Sequence, residues 1–228
     1  WRGAFFCLVP LATVALVWQW ISLPDMPAQE HAPGSGNVFN VLKNRTVALG
    51  IGACGAFFMG QFVLFTYVRP FLETVTQVGV STLSLILLAI GIAGFIGTAL
   101  IGFMLNRGLY KVLVVTPLLM AVIAVALIFF GTWMAAVATL LGLWGLLATA
   151  APVAWWSWVA DVMPDQAEAG GGLMVAVIQL SIALGSTLGG LLFDSAGYQS
   201  AFGASALVLL FAALLAFLTS RVQPGEVA

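Results

Sequence analysis

Two glutamines, Gln61 and Gln179, lie inside long apolar runs, where amide side chains are uncommon. On a helix, Phe57, Phe58 and Phe65 lie three or four residues from Gln61 and share its face. Aromatic side chains can stack on a flat ring while an amide bonds its edge, a combination that suits a nucleobase. Phe58, Gln61, Phe65 and Gln179 are therefore predicted substrate-binding residues, with Gln61 facing a central cavity. An amide that only bonds a neighbouring helix is an equal alternative for Gln179.

A tryptophan-rich run at 134–159 holds further candidates. Trp155 and Ser157 are predicted to contribute to the substrate site, although a packing role is equally compatible with their positions. Trp158 lies near the end of the run and is predicted to anchor it at the membrane interface. Three acids are predicted to begin the next helix: Asp161, Asp165 and Glu168.

The composition places these groups in a membrane. Of the 228 residues 62% are hydrophobic and 7% charged, and the mean hydropathy is +1.13, whereas soluble domains have about 25% charged residues. Seven uncharged runs are each close to the ~20 residues that a helix needs to cross ~30 Å of hydrocarbon. We therefore predict an all-α membrane protein with seven transmembrane helices at 4–23, 46–68, 81–105, 112–130, 134–159, 171–193 and 201–218.

A repeated sequence frame relates two parts of the chain. Residues 97–106 and 185–194 share Gly, Ser or Thr, x, Leu, x, Gly, three apolar residues and then Asn or Asp. Three apolar runs separate equivalent points, so the copies cross the membrane in opposite senses. Inverted repeats of this kind occur in secondary transporters. The last six runs are predicted to form a six-helix bundle of two inverted three-helix repeats, with Gly97 and Gly185 at equivalent positions.

The basic residues predict the orientation. One side of the predicted membrane receives Lys43, Arg45, Arg107, Lys111 and Arg221, and the other receives Arg2 and Arg69. The side with more basic residues is expected to be cytoplasmic, and it includes the C-terminus.

The predicted domains are a transmembrane helix at 1–23, a cytoplasmic linker at 24–45, the bundle at 46–221 and a cytoplasmic tail at 222–228. Residues 38–45 are expected either to form a short helix on the inner membrane surface or simply to begin the next span. His31, in the linker, is expected to be solvated. The chain begins with Trp1 and is expected to lack an N-terminal part.

The link between the third and fourth runs contains Gly102, Asn106, Arg107 and Lys111. It resembles a degenerate form of the loop signature Gly-x-x-x-Asp-Arg-x-Gly-Arg of the major facilitator superfamily, with Asn106 in place of the acid. The resemblance implies a gating role, in which Gly102 lets two helices approach closely and the basic loop latches the inward side. A basic cytoplasmic loop without a gating role is the alternative.

A wider resemblance extends over nearly the whole chain. Four stretches resemble the purine-nucleoside efflux pumps of the drug/proton antiporter branch: 60–70, 152–158, 165–170 and 175–180. The resemblance implies spans six to twelve of a proton-coupled transporter that exports purine nucleosides or bases across the bacterial inner membrane. Arabinose-like sugars and multiple drugs are alternative substrates. Trp156 departs from the small polar residue expected there. None of the eight acids lies within a predicted span, so proton coupling is expected to reside elsewhere. The resemblance implies that the N-terminal half binds the protons.

The sequence contains no enzyme motif, and neither a metal nor a cofactor is expected. Cys7 and Cys54 lie in apolar runs and are interpreted as small hydrophobic residues. A net charge of −1 gives no reason to expect a nucleic acid partner. The expected partners are a small-molecule substrate, protons and the lipid bilayer. Two non-transporting alternatives are a seven-helix receptor and a membrane scaffold, but a retinal receptor needs a lysine that 201–218 lacks, and a scaffold has no need of Gln61 and Gln179.

Overall fold

The computed structural model describes residues 2–22, 38–164 and 167–222, and the regular structure of this part of the chain is helical. A 3-10 helix (Val38–Lys43) precedes the second α-helix. The α-helices are α1 (Arg2–Ser22), α2 (Arg45–Phe65), α3 (Val68–Thr74), α4 (Val80–Leu105), α5 (Leu109–Phe130), α6 (Met134–Val162), α7 (Ala167–Ala196) and α8 (Tyr198–Arg221).

Six described helical segments are long and apolar enough to cross a membrane, and they correspond to the last six predicted runs. The first of them, Arg45–Thr74, consists of α2 and α3 and is interrupted at Thr66 and Tyr67. The first predicted run corresponds to α1, in which Ala12–Ser22 is a shorter apolar helix. α1 belongs to one compact unit, Trp1–Gly36, and the bundle belongs to another, Asn37–Ala228. The all-α membrane fold is confirmed.

The start of α2 is fixed by a side-chain cap. The Asn44 carboxamide oxygen accepts the backbone N–H groups of Thr46, at 2.9 Å, and Val47, at 3.5 Å, which satisfies two of the amides left free at a helix start. Val41 in the preceding 3-10 helix is buried, and this helix contacts α2 and α7. Residues 38–45 therefore form a short 3-10 helix followed by the start of α2, and the position of this short helix at the membrane surface stays a prediction. Residues 23–37 of the predicted linker, with His31, lie outside the described residues.

The bundle consists of two three-helix repeats, α2, α4 and α5 in the first and α6, α7 and α8 in the second. α2 packs against α7 and α8, and α6 packs in the same way against α4 and α5. α5 also packs against α8. Exchanging α2 with α6, α4 with α7, and α5 with α8 reproduces this pattern of contacts. The inverted three-helix repeats are thus confirmed.

The two glycines of the repeated frame make the same contact in each half of the bundle. A Cβ added to Gly97 of α4 would overlap the carbonyl oxygen of Leu146 in α6, and one added to Gly185 of α7 would overlap that of Met59 in α2. Each glycine therefore lets its helix lie directly on the backbone of its neighbour. The predicted equivalence of Gly97 and Gly185 is confirmed.

The two least buried of the long helices are α4 and α7. In α2 and α3 together 72% of the most apolar window is buried, but only 28% of that window is buried in α4 and 17% in α7. α4 and α7 are equivalent helices, so the two repeats leave the same member uncovered.

Candidate substrate site

Gln61 lies in the interior of the bundle. Its side chain is 8% exposed, and its Oε1 atom is buried without a hydrogen-bond partner among the described residues. Phe57 and Phe58, also buried, pack edge to face one turn before it, with ring centroids 5.4 Å apart. An unpaired buried acceptor costs about 1–3 kcal/mol, so this amide is a candidate for binding a group that the described residues do not supply.

A buried donor lies at a similar depth on the opposite helix. Gly50 at the start of α2 contacts Trp158 near the end of α6, and Phe57 lines a small gap with Ala151. α2 and α6 are therefore antiparallel, and each residue forward along α2 corresponds to one residue back along α6. By this register Gln61 lies level with residue 147, within one turn of Trp144. Trp144 is fully buried, and its indole N–H also lacks a partner among the described residues.

Phe65 lies on a different side of α2 from Phe57. It is 36% exposed, and it packs edge to face against the half-buried Phe62 with ring centroids 6.2 Å apart. The predicted aromatic surface around Gln61 is therefore divided in two. Phe57 and Phe58 surround the amide in the interior, while Phe62 and Phe65 form an accessible aromatic pair one turn further along.

Sequence reasoning missed a cluster of hydroxyl groups at the interruption between α2 and α3. Thr66 is exposed there, and its hydroxyl lies 2.9 Å from that of Ser186 in α7. The Tyr67 hydroxyl donates to the Ser186 carbonyl at 3.0 Å. A signal was present, because Ser186 is the Ser or Thr of the repeated frame, directly after Gly185.

Gln179 is exposed on α7, and it is not brought into the interior with Gln61. Val177, two residues earlier, is the residue that packs toward α2, where it meets Gly55. Gln179 therefore projects from the poorly covered side of α7.

The tryptophans of α6 divide into buried and exposed members. Trp155 is 2% exposed and packs edge to face on Trp158 with ring centroids 6.0 Å apart. Trp158 is fully buried, so its prediction as an interface anchor is wrong: its ring fills the space left by the missing side chain of Gly50. Trp156 is exposed and lies over Gly171. Ser157 is half-buried, and its hydroxyl donates to the Val153 carbonyl at 2.9 Å within its own helix.

The predicted gating loop is a tight link between α4 and α5. Gly108 has a φ of +136°, a value that glycine adopts without strain. The Arg107 guanidinium lies over the ring of Phe103, 4.5 Å from its centroid, and Asn106 and Lys111 are exposed.

The close helix approach expected at Gly102 is not made within the described residues, because a Cβ added there meets no atom within 4 Å. Gly97, five residues earlier on α4, makes the approach instead.

The described acids lie at the ends of helices. Asp161 is exposed in the last turn of α6, so its prediction as the start of the next helix is wrong; α6 continues to Val162. Asp165 and the Glu168 side chain lie outside the described residues. Among the residues that the structure describes, no group of His, Cys, Asp or Glu could hold a metal ion.

A membrane bundle of two inverted three-helix repeats is the architecture found in each half of many secondary transporters. Comparison with known families agrees, since the profile of the Major Facilitator Superfamily matches residues 1–185. The chain belongs to the Major Facilitator Superfamily.

Two kinds of relative are similar to this chain. It is 63% identical over 224 residues to the transcription regulatory protein OpdE of Pseudomonas aeruginosa, an alignment that covers 97% of the chain and 56% of that protein. It is 34% identical over 224 residues to the purine ribonucleoside efflux pump NepI of Salmonella enteritidis, which covers 98% of the chain and 56% of the pump. NepI of Salmonella typhimurium matches equally well. The chain spans about half the length of the curated relatives it matches.

Proposed function

We propose that this chain forms one half of a secondary transporter that exports purine nucleosides or bases from a bacterial cytoplasm in exchange for protons. The observation that carries the proposal is the buried, unpaired Oε1 atom of Gln61 beside Phe57 and Phe58, in a chain similar to purine ribonucleoside efflux pumps. A purine offers flat faces to aromatic rings and both donors and acceptors at its edge.

The similar depth of Gln61 and Trp144 supports a nucleobase as the ligand. Gln61 Oε1 accepts a hydrogen bond and Trp144 Nε1 donates one, and neither is satisfied by the described residues. A purine edge carries an N–H or amino group close to a ring nitrogen or carbonyl oxygen. One base can therefore satisfy both groups when the helices separate to admit it.

Replacing Gln61 with Leu should reduce export of inosine by the full-length transporter roughly tenfold, since the lost interaction is worth ~1–3 kcal/mol. Abundance in the membrane should be nearly unchanged, because Leu is better tolerated in lipid than Gln. Export of radiolabelled inosine from preloaded cells, at matched abundance, measures the effect.

Gln199→Leu provides the matched control, because it makes the same change at an exposed position at the start of α8. Its export should equal that of the unmodified protein. Equal export by Gln61→Leu would show that Gln61 does not bind the substrate, and a large drop in abundance would show that its role is structural. Gln179→Leu tests the second candidate in the same assay.

The substrate panel separates the alternatives. Arabinose and a cationic dye should compete poorly with inosine and hypoxanthine if the aromatic and amide groups select a purine. Preferred export of arabinose or of the dye would assign this fold to sugar or multidrug efflux. Absence of transport of any compound would favour a receptor or a scaffold.

Proton coupling is proposed to depend on residues outside the described part of the chain. The described acids Glu73, Asp161 and Asp194 are all exposed in the last turns of their helices. A coupling group must be exposed alternately to both sides of the membrane, and such groups face the interior of a transporter.

We propose an orientation in the inner membrane with the C-terminus in the cytoplasm. Gln77, between α3 and α4, and Ser220, in the last turn of α8, are both exposed. With Cys7 and Cys54 replaced by Ala, Gln77→Cys should react with an impermeant maleimide in intact spheroplasts, and Ser220→Cys only after permeabilisation. The reverse pattern would invert the orientation.

The name of the Pseudomonas aeruginosa relative gives a second candidate, a membrane protein that alters transcription. A transporter can do this without contacting DNA, by lowering the internal concentration of a compound that a separate regulator binds. A variant that abolishes export should then also abolish the change in transcription. Regulation that persists in an export-deficient Gln61→Leu variant would separate the two activities.

A further inference from the structure

We propose that the hydroxyl pair Thr66 and Ser186 binds the ribose of the exported nucleoside by accepting hydrogen bonds from its vicinal diol. This inference rests on the proposed export of purine nucleosides and adds a residue-level reason for preferring ribonucleosides. The pair joins α2 to α7 at the point where the first membrane-crossing segment is interrupted.

The hydrogen bonds that Thr66 and Ser186 already make determine which of their lone pairs and protons a ligand can still bind. Thr66 has a single hydroxyl hydrogen and donates it to the Phe62 carbonyl at 2.9 Å. In the 2.9 Å contact between the two hydroxyls, Ser186 is therefore the donor. The Tyr67 hydroxyl donates to the Ser186 carbonyl. All three protons are used, and the free lone pairs of Thr66 and Ser186 can only accept.

Two adjacent acceptors match a donor pair of similar spacing. The vicinal 2′ and 3′ hydroxyls of a ribose supply two O–H donors on neighbouring carbons. A 2′-deoxyribose supplies only one of them, and a free base supplies neither. The cluster therefore favours ribonucleosides, because only a ribose can donate to both acceptors. A site of this kind discriminates against an analogue that lacks one of the hydroxyl groups.

The position of the pair fits a nucleoside bound along α2. Thr66 is exposed, and the accessible rings of Phe62 and Phe65 lie within one turn of it. Gln61 precedes Thr66 by five residues, a rise of ~7.5 Å along a helix. The same five residues turn the helix by about 140°, so Gln61 and Thr66 lie on different sides of α2. A base stacked on the accessible rings of Phe62 and Phe65 places the sugar at Thr66 and Ser186.

Ser186 departs from the usual bonding of helical hydroxyls in this bundle. Thr139 and Thr187 each donate to the carbonyl four residues earlier in their own helices. Ser186 instead bonds Thr66 across two helices. Thr98, its counterpart in the repeated frame, donates to the backbone carbonyls of Gly94 and Thr149 and has no hydroxyl partner. The hydroxyl pair is therefore a feature of one repeat only.

Aromatic packing holds the pair in place. Tyr67 stacks on Phe193 of α7 with ring centroids 5.3 Å apart and an angle of 24° between the planes. A Cβ on Gly190 would overlap the Tyr67 hydroxyl, so this glycine admits the ring between the helices. The site is thereby preorganised, which lowers the entropy lost when a ligand binds.

The test compares export of inosine, 2′-deoxyinosine and hypoxanthine by the full-length transporter carrying Thr66→Val, Ser186→Ala or Thr66→Ser. The unmodified protein should prefer inosine. Thr66→Val and Ser186→Ala should each reduce inosine export about threefold to tenfold, the value of one hydrogen bond. Hypoxanthine export should not change. The variant that loses the acceptor of the 2′-hydroxyl should lose the preference for inosine over 2′-deoxyinosine, and the variant that loses the acceptor of the 3′-hydroxyl should export less of both nucleosides. Thr66→Ser, which keeps the acceptor, should retain the preference.

Thr187→Val is the matched control, because it removes a hydroxyl that only bonds its own helix. It should retain the preference for inosine. An unchanged ratio of inosine to 2′-deoxyinosine in both Thr66→Val and Ser186→Ala would overturn the ribose site while export of purines stands. An equal loss of all three substrates would also overturn it, as a structural effect. Failure of the unmodified protein to export any purine would overturn the proposed function and this inference together.

Discussion

Replacing Trp158 with Ala should lower the free energy of unfolding of the bundle by about 3 kcal/mol. Trp158 is fully buried near the C-terminal end of α6, where its ring packs on Trp155 and against Gly50 of α2. Lipid is as apolar as the bundle interior, so the loss comes mainly from packing contacts and from the cavity left behind. Unfolding of the purified protein in mixed micelles of increasing SDS content measures the change.

Trp156→Ala is the matched control, because it removes the same side chain two residues earlier from an exposed position. Its effect should be below about 1 kcal/mol. If Trp158 were an interface anchor, Trp158→Ala and Trp156→Ala would lower the free energy of unfolding by similar amounts. The size of each change would then depend on the lipid or detergent.

The contact of Trp158 with Gly50 also makes a coupling experiment possible. Gly50→Ala alone should be destabilising, since the added methyl would overlap the indole ring. Combined with Trp158→Leu, which removes the ring, the same alanine should cost much less. A double-mutant cycle in which the two effects simply add would show that the residues do not interact.

The sequence predicted the fold well because the determinants of the fold are local. The length of an apolar run is a strong signal for a membrane-crossing helix, and the last six of the seven predicted runs agree with the six long apolar helices. The inverted repeat could be recognised in the sequence because it retains a glycine at the same place in each half. Gly97 and Gly185 each make a helix contact that leaves no room for a side chain. Each of these inferences required only neighbouring residues.

The site was harder to predict because its properties depend on which helices meet. Nothing near Trp158 in the sequence shows that Gly50, on another helix, leaves a space for its ring. The division of the phenylalanines, with Phe57 buried and Phe65 exposed, depends on the directions from which the other helices approach α2. The pairing of Thr66 with Ser186 depends on both the helix interruption and the crossing of α2 with α7.

Replacing Gly185 or Gly97 with Val should prevent the two repeats from packing and lower the amount of folded protein severalfold. At both positions a Cβ would overlap a backbone carbonyl oxygen, of Met59 for Gly185 and of Leu146 for Gly97. A backbone atom cannot rotate away as a side chain can, so the helices must separate along their length. Overpacking of this kind costs ~3 kcal/mol. Fluorescence-detected size-exclusion chromatography of detergent extracts measures the folded fraction.

Gly172→Val in α7 and Gly91→Val in α4 are matched controls, because a Cβ at either position meets no atom within 4 Å. All four substitutions place the same β-branched residue inside a helix, so the effect on helix propensity is common to them. A loss confined to Gly97 and Gly185 therefore measures the helix contact itself. An equal loss of folded protein for all four substitutions would show that the effect comes from helix propensity. Because the repeat makes the two contacts equivalent, Gly97→Val and Gly185→Val should also resemble each other, and a large effect at only one of them would contradict the symmetry.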